Sequence, residues 1–442
     1  MHRFWTLVLF ATGCVDSFSD PDAEVVVTRP DVSTFDDVAV TDTSWSDTAV
    51  APDVSFVDLG PFEWNPDDET LPLFEQGVVK TLDVTMSADQ LQGLLSCWKD
   101  PPEGVLEGTA KCWFACTATF EGKQSGPASC RPKGRPEKWA DQKKPQWIVR
   151  FDQTDKTGRF YGLRRFNLES NTEVLAPVRD RLGMWFMREV GVPAPRVSLV
   201  KLTVNGGDYG PYQLIEPVDK EFLQDHFPNS EGNLYDDAGE LTTNETTSTS
   251  ARLELFYEKV ETEHGKLDQS HTTFFAGLSG LADVNAFLRF MAAEIALATT
   301  DNFTDGAGNT YLYDQSPGPG LLPISWDHDE LFDITVADPN EALGTCLSSA
   351  GFADEPQQLC ELFWSDAGTR AALTDELRRL RDGPMQQLPV ELKRYCDEAR
   401  PYVVADPFAG DEIAERFEAD CAQIGDFIDM RIDFLEDAAE LK

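Results

Sequence analysis

The apolar run Leu321 to Trp326 ends abruptly in Asp327, His328, Asp329 and Glu330. A short run of this kind reads as a buried strand, and carboxylates crowded at its end repel one another unless a cation holds them. Any fold open to this chain must bury that strand and bring a cation to its exit. The residues upstream show how. TYLYD, a Pro/Gly turn from Pro317 to Gly320 and LLPISW read as two antiparallel strands, which sets Asn309, before the first, beside Asp327, after the second. Asp301 lies near them, directly after the most apolar helical stretch, where Ala293 to Thr300 carries no charge but Glu294. On position alone, Asp301 could equally be a capping residue.

The stretch DNFTDGAGNTYLYD imitates a calcium loop in Asp301, Asp305 and Gly306, but Phe303 and Leu312 stand where an EF-hand needs ligands. A few hard oxygen donors instead suit magnesium that also holds phosphate oxygens. An Asp to orient and deprotonate an acceptor hydroxyl, followed by an Asn and an Asp on the metal, is what phosphoryl transfer requires. His328 points away from its acidic neighbours if the strand continues, and is read as structural.

The chain around this centre is acidic, with 37 Lys and Arg against 78 Asp and Glu and a net charge of -41. That field repels nucleic acid and anionic membrane surfaces, so neither is expected as a partner. The N-terminus, MHRFWTLVLFATGC, has His2 and Arg3, an apolar stretch Phe4 to Ala11, and small residues before Cys14. This is the pattern of a bacterial lipoprotein signal cut before Cys14, whose thiol is then lipidated, with a plain secretory signal as the alternative. The apolar stretch is far short of the roughly 20 residues a spanning helix needs. The expectation is an exported lipoprotein, periplasmic or at the cell surface, anchored to the membrane through lipid alone. The remaining cysteines are Cys97, Cys112, Cys116 and Cys130, then Cys346, Cys360, Cys396 and Cys421. An even number in an exported chain reads as disulfides, paired most simply within each cluster; zinc on the first four is the alternative.

Residues 15–70, rich in Asp, Pro, Ser and Thr, show no sustained period and read as a disordered acidic tether. The folded part is expected over 71–442. GVVKTLDVTM alternates as a strand, and Ser87 caps a helix. Residues 97–145, rich in Gly, Pro and Lys, read as a cysteine-stapled insertion. QWIVRFD and RFYGLRRFNL form a hairpin, a helix runs from about Val174 to Val190, and RVSLVKLTV turns at Asn205-Gly206-Gly207 into a second hairpin. Later helices are expected over VNAFLRFMAAEIALAT (284–299) and near 359–380, 385–400 and 411–440. Strands early and helices late give an α+β fold with a sheet-rich N-terminal lobe and a helical C-terminal lobe.

Taken in order, GLRRFNLES, VRDRLGMWFMREVGVPAP, LTVNGGDYGPYQLIEPVDKEFL, DVNAFLRFMA, TTDNF, GNTYLYD, ISWDHD, RPYVVADPF and RIDFLED resemble the CotH kinase family, a group named for a spore coat protein and related to atypical, secreted protein kinases. The resemblance covers nearly everything from residue 75 onward. It implies a two-lobed, atypical protein-kinase-like fold with Asp301 as base, Asn309 and Asp327 on the metal, and Asp329 as a second acid. It places the phosphate-binding basic residue at Arg164, with Arg165 the alternative by strand alternation, and assigns nucleotide-binding positions to Arg179 and Glu216. Three features depart from the family pattern. The TDGAG insertion lengthens the loop between Asp301 and Asn309, an Arg stands where a Lys is usual, and no Gly-rich phosphate loop is visible beyond Gly158 and Gly162.

The resemblance implies an exported protein kinase that uses ATP with magnesium or manganese to phosphorylate Ser or Thr of surface or secreted proteins. The alternatives are a kinase-like surface binding or adhesion module without turnover, and a structural calcium-binding protein.

Overall fold

The computed structural model describes residues 68–170, 176–236, 239–267, 270–301, 303–305, 308–315, 318–346 and 355–442. The expected signal peptide, the lipidated Cys14 and most of the tether lie outside them. The N-terminal lobe is built from β1 (Lys80–Thr85), β2 (Phe114–Phe120), β3 (Lys123–Gln124), β4 (Ala128–Pro132), β5 (Trp147–Arg150), β6 (Arg165–Glu169), β7 (Val197–Val204) and β8 (Gly207–Ile215). Their order is β1-β7-β8-β6-β5-β4-β2-β3, and β1 also pairs with β2, so seven strands close into a barrel with β3 as a flap. All pairings are antiparallel except β1 with β7. Closure pairs each of the seven ring strands on both sides and leaves only the two-residue β3 at an edge. The barrel interior holds Leu82, Val84, Ala118, Trp147, Val149, Phe166, Leu168, Leu202 and Leu214. Burying a large apolar side chain stabilises by about 2 kcal/mol.

The segment read as a stapled insertion is therefore part of the barrel wall, since it supplies β2, β3 and β4. Disulfides join Cys97 to Cys112 and Cys116 to Cys130, and later Cys346 to Cys360 and Cys396 to Cys421, each within its cluster. The first four cysteines thus pair as disulfides, not as zinc ligands. The β7–β8 turn uses Asn205 and Gly206, both with positive φ, as a two-residue hairpin of this twist requires.

Eleven α-helices occur among the described residues. They are α1 (Ala88–Lys99), α2 (Glu103–Leu106), α3 (Arg179–Glu189), α4 (Lys220–His226), α5 (Ala251–His264), α6 (Thr272–Gly277), α7 (Val284–Leu297), α8 (Glu355–Ser365), α9 (Ala367–Asp382), α10 (Leu388–Val404) and α11 (Ile413–Asp437). None is long and apolar enough to cross a membrane. Ser87 caps α1, its hydroxyl accepting from the Gln90 N–H. Two helical expectations need correction. Helix α3 starts at Arg179, after Pro177, which removes a donor and turns the residue before it out of helical geometry; the expected start at Val174 lies outside the described residues. The helix expected over 359–380 is two, α8 and α9, broken where the Asp366 carboxylate takes the N–H groups of Gly368 and Thr369.

The helical lobe packs around a small second sheet, β11 (Leu321–Ser325), β10 (Thr310–Asp314) and β9 (Asn233–Tyr235) in that order. Helix α3 belongs to both lobes in effect. Leu182, Phe186 and Met187 are buried in the large core, while Asp180 meets the buried Gln213 amide and Arg181 donates to Gln76.

Candidate active site

Helix α7 stops at Ala298, which adopts the left-handed conformation that ends helices, and Asp301 follows three residues later. The buried Glu294 carboxylate accepts the Thr304 N–H at 3.1 Å and so ties this turn back to the helix. Strands β10 and β11 pair Thr310 with Ser325, which brings the residues flanking that end, Asn309 and Trp326–Asp327, side by side. The Asn309 amide donates to the Asp301 carbonyl at 2.6 Å. Asp301, Asn309 and Asp327 all have φ between 50° and 56°. Left-handed backbone at non-glycine residues costs about 1 kcal/mol each, and three such residues at one place mark a site held in shape by its surroundings.

These residues line one recess with Thr299, Thr300, His328, Asp329, Glu330 and Leu331. Asp301, Asn309, Asp327 and Asp329 are thus brought together. Oδ1 of Asn309 is buried with no hydrogen-bond partner, and a buried acceptor left unmatched costs about 1–3 kcal/mol. Among the described residues no three His, Cys, Asp or Glu side chains enclose an ion by themselves. Two carboxylates and the Asn309 oxygen nevertheless fit a magnesium or manganese ion that completes its shell with phosphate oxygens and water.

The electrostatics of the recess depend on residues that sequence reasoning missed. Asp327 keeps part of its surface toward solvent, yet protein crowds its carboxyl. Burial, then Asp329, Asp180 and Glu169, raise its pKa well above the ordinary range, while Lys133 opposes the rise. Asp180 is pushed up to about 8 by burial, then by Glu169 and Asp329. Its two oxygens accept the His328 backbone N–H at 2.8 Å and the Gln213 amide at 2.9 Å. Glu169, at the end of β6, pairs with Lys133 Nζ at 2.7 Å. These three residues come from β6, α3 and the residue after β4, so only the folded barrel brings them to the acids of the other lobe. The available signal was a charge inside an otherwise buried pattern, as at Asp180 in RDRLGMWF.

His328 is structural. Its ring is buried against Gly183 of α3, Nε2 shares a hydrogen with Ser325 Oγ at 2.8 Å, and burial lowers its pKa to about 4.

The structure does not bring the other expected residues into the recess. Arg164 pairs with Asp152 at 2.9 Å, and Arg165 lies 3.8 Å from Asp219. Both stand at the opposite end of β6 from Glu169; Arg165 is four residues, or about 13 Å of strand, away from it. Arg179 acts one layer behind the site. Its guanidinium donates to the Leu331 carbonyl, to Asp420 at 2.8 Å and to Gln423 at 3.1 Å, fixing the acidic loop to α3 and α11. Glu216 is fully buried between Arg196 and His226, just after β8. Burial alone would raise its pKa, but Arg196 and His226 hold it below the usual carboxylate range.

A family profile described as "CotH kinase protein" matches residues 131–435. Inner spore coat protein H of Bacillus subtilis is 25% identical over 327 residues, covering 67% of this chain and 83% of that protein. Invasin CotH7 of Rhizopus delemar is 20% identical over 310 residues, covering 65% of this chain and 49% of that protein, so the chain spans about half of that relative's length. A chain of a solved structure of the Shewanella oneidensis MR-1 toxin–antitoxin system HipA, HipB and its operator DNA aligns over 83% of this chain and 76% of that chain, with 11% identity and a TM-score of 0.35. With a sheet-rich lobe followed by a helical one, and a profile match over more than half its length, this chain belongs to the CotH kinase family and is a kinase-like protein.

Proposed function

We propose that the chain is an exported, lipid-anchored protein kinase that transfers the γ-phosphoryl group of ATP to Ser or Thr hydroxyls of surface or secreted proteins. The convergence of Asp301, Asn309 and Asp327 on one recess carries this reading. Asp301 orients the acceptor hydroxyl and takes its proton as the oxygen attacks the γ-phosphorus; the bond to the β–γ bridging oxygen breaks, and ADP departs with the electron pair. Asn309 Oδ1 and the Asp327 carboxylate would hold magnesium or manganese, with Asp329 beside them. That ion, when bound, neutralises charge on the β- and γ-phosphates. Burial and then the neighbouring acids raise the carboxyl pKa values here, so an ion held by these side chains would displace protons. Arg179 and Glu216 take positioning roles, and membrane attachment through Cys14 is part of the same proposal.

The test is transfer from labelled ATP to the protein itself and to acidic and neutral protein substrates, with each metal in turn. Wild-type protein transfers label, and Asp301→Asn lowers the rate by about a hundredfold or more. No transfer by wild type with either metal would sink catalysis. A second reading, a surface-binding module without turnover, draws on the relative named an invasin; nucleotide binding without transfer would favour it.

A further inference from the structure

The reading of the recess as a metal–nucleotide centre needs a cation on the sheet-lobe side to face the phosphates. From Phe290 to Thr369 the sequence contains no Lys or Arg, so the acidic wall of the recess brings no cation of its own. Arg164 and Arg165 lie at the far end of β6, beside Asp152 and Asp219. We propose that Lys133, delivered by the disulfide-stapled β2–β4 segment, is the residue that grips the polyphosphate of the nucleotide opposite the metal, with Glu169 positioning it. This proposal rests on that reading of the site.

The segment holds Lys133 tightly. The Cys116–Cys130 disulfide fixes β4 to β2 three residues before it. Its backbone N–H donates to the Gln146 carbonyl at 3.0 Å, and its own carbonyl takes the Trp139 indole N–H at 2.7 Å. Gly134, with φ +82°, lets the chain turn sharply just beyond. The side chain is buried, with Nζ on Glu169 at 2.7 Å; Glu169 pairs across the sheet with Gln213, whose amide donates to Asp180, the carboxylate that also takes the His328 N–H beside Asp327. A second observation points to a ligand on this face of β6. Asn167, two residues before Glu169 and on the same face, is fully buried, yet neither amide atom has a hydrogen-bond partner. Lys133 would thus supply the contact that the resemblance assigned to Arg164.

The test is isothermal titration of magnesium-ATP, and of magnesium with inorganic tripolyphosphate, into wild type, Lys133→Met, Lys133→Arg and the double variant Lys133→Met/Glu169→Gln. The double variant removes the paired charges together, so a folded protein remains if the single change leaves Glu169 uncompensated. Loss of one charge-assisted contact should weaken both ligands about tenfold or more in the Met variants, with Lys133→Arg between them and wild type. A folded Met variant that binds both ligands within twofold of wild type would overturn the assignment while leaving the metal–nucleotide reading intact. Absence of binding by wild type would overturn both.

Discussion

Gly183 gives the sharpest test of how α3 supports the site. A Cβ added there would lie 2.6, 2.8 and 2.9 Å from Cγ, Cβ and Cδ2 of His328. The ring cannot step aside freely, because it is buried and bonded to Ser325. Overpacking of this kind costs about 1–3 kcal/mol, and disturbing the Ser325 hydrogen bond adds about 1 kcal/mol. Against this, Ala gains up to about 1 kcal/mol over Gly inside a helix, leaving Gly183→Ala a net loss of roughly 1–3 kcal/mol. Gly425 in α11 is the control. Its added Cβ would meet only Leu392 Cδ2 at 3.6 Å, an ordinary contact, so Gly425→Ala should stabilise by up to about 1 kcal/mol. Urea denaturation at constant slope reads both changes. Because Asp327 and Asp329 flank His328, Gly183→Ala should also weaken metal-dependent nucleotide binding, and Gly425→Ala should not. Equal midpoints for the two variants would refute the reasoning.

Other consequences follow from the same contacts. Asp180 has a folded pKa of about 8 against 3.8 unfolded, so folding requires proton uptake between those values. The metal-free protein should therefore lose stability as pH rises from 4 to 8, and Asp180→Asn should flatten that loss in thermal melts. Arg179→Met, which removes the tie between Leu331 and Asp420, should cost about 2–4 kcal/mol and lower metal affinity by titration, because it frees the acidic loop. Replacing Cys396 and Cys421 by Ala opens a bridge between residues 25 apart and should cost about 3 kcal/mol in denaturant titrations. Replacing Cys116 and Cys130 by Ser should weaken tripolyphosphate binding in addition.

What could be read from sequence was whatever depends on neighbours along the chain. The β10–β11 hairpin follows from two apolar runs and a Pro/Gly turn, and it sets Asn309 beside Asp327. Ser87 and the Asn205-Gly206 turn announce themselves through local hydrogen bonding and positive φ. Barrel closure was hidden. It depends on β1 pairing in parallel with β7 about 120 positions later, and on β2 and β4, which lie in a Gly- and Pro-rich stretch that read as an insertion. Lys133, Glu169 and Asp180 escaped for the same reason, since each is unremarkable alone and only tertiary packing brings them to Asp327. The resemblance assigned phosphate to Arg164, but that residue pairs with Asp152 at the end of β6 away from Glu169.

The most direct measurement is anomalous scattering from crystals grown with manganese and a non-hydrolysable ATP analogue. The account predicts a manganese peak about 2.2 Å from Asn309 Oδ1 and an Asp327 oxygen, with β- and γ-phosphate oxygens completing the shell. A nucleotide bound with its phosphates elsewhere, or an ion that touches neither side chain, would contradict it.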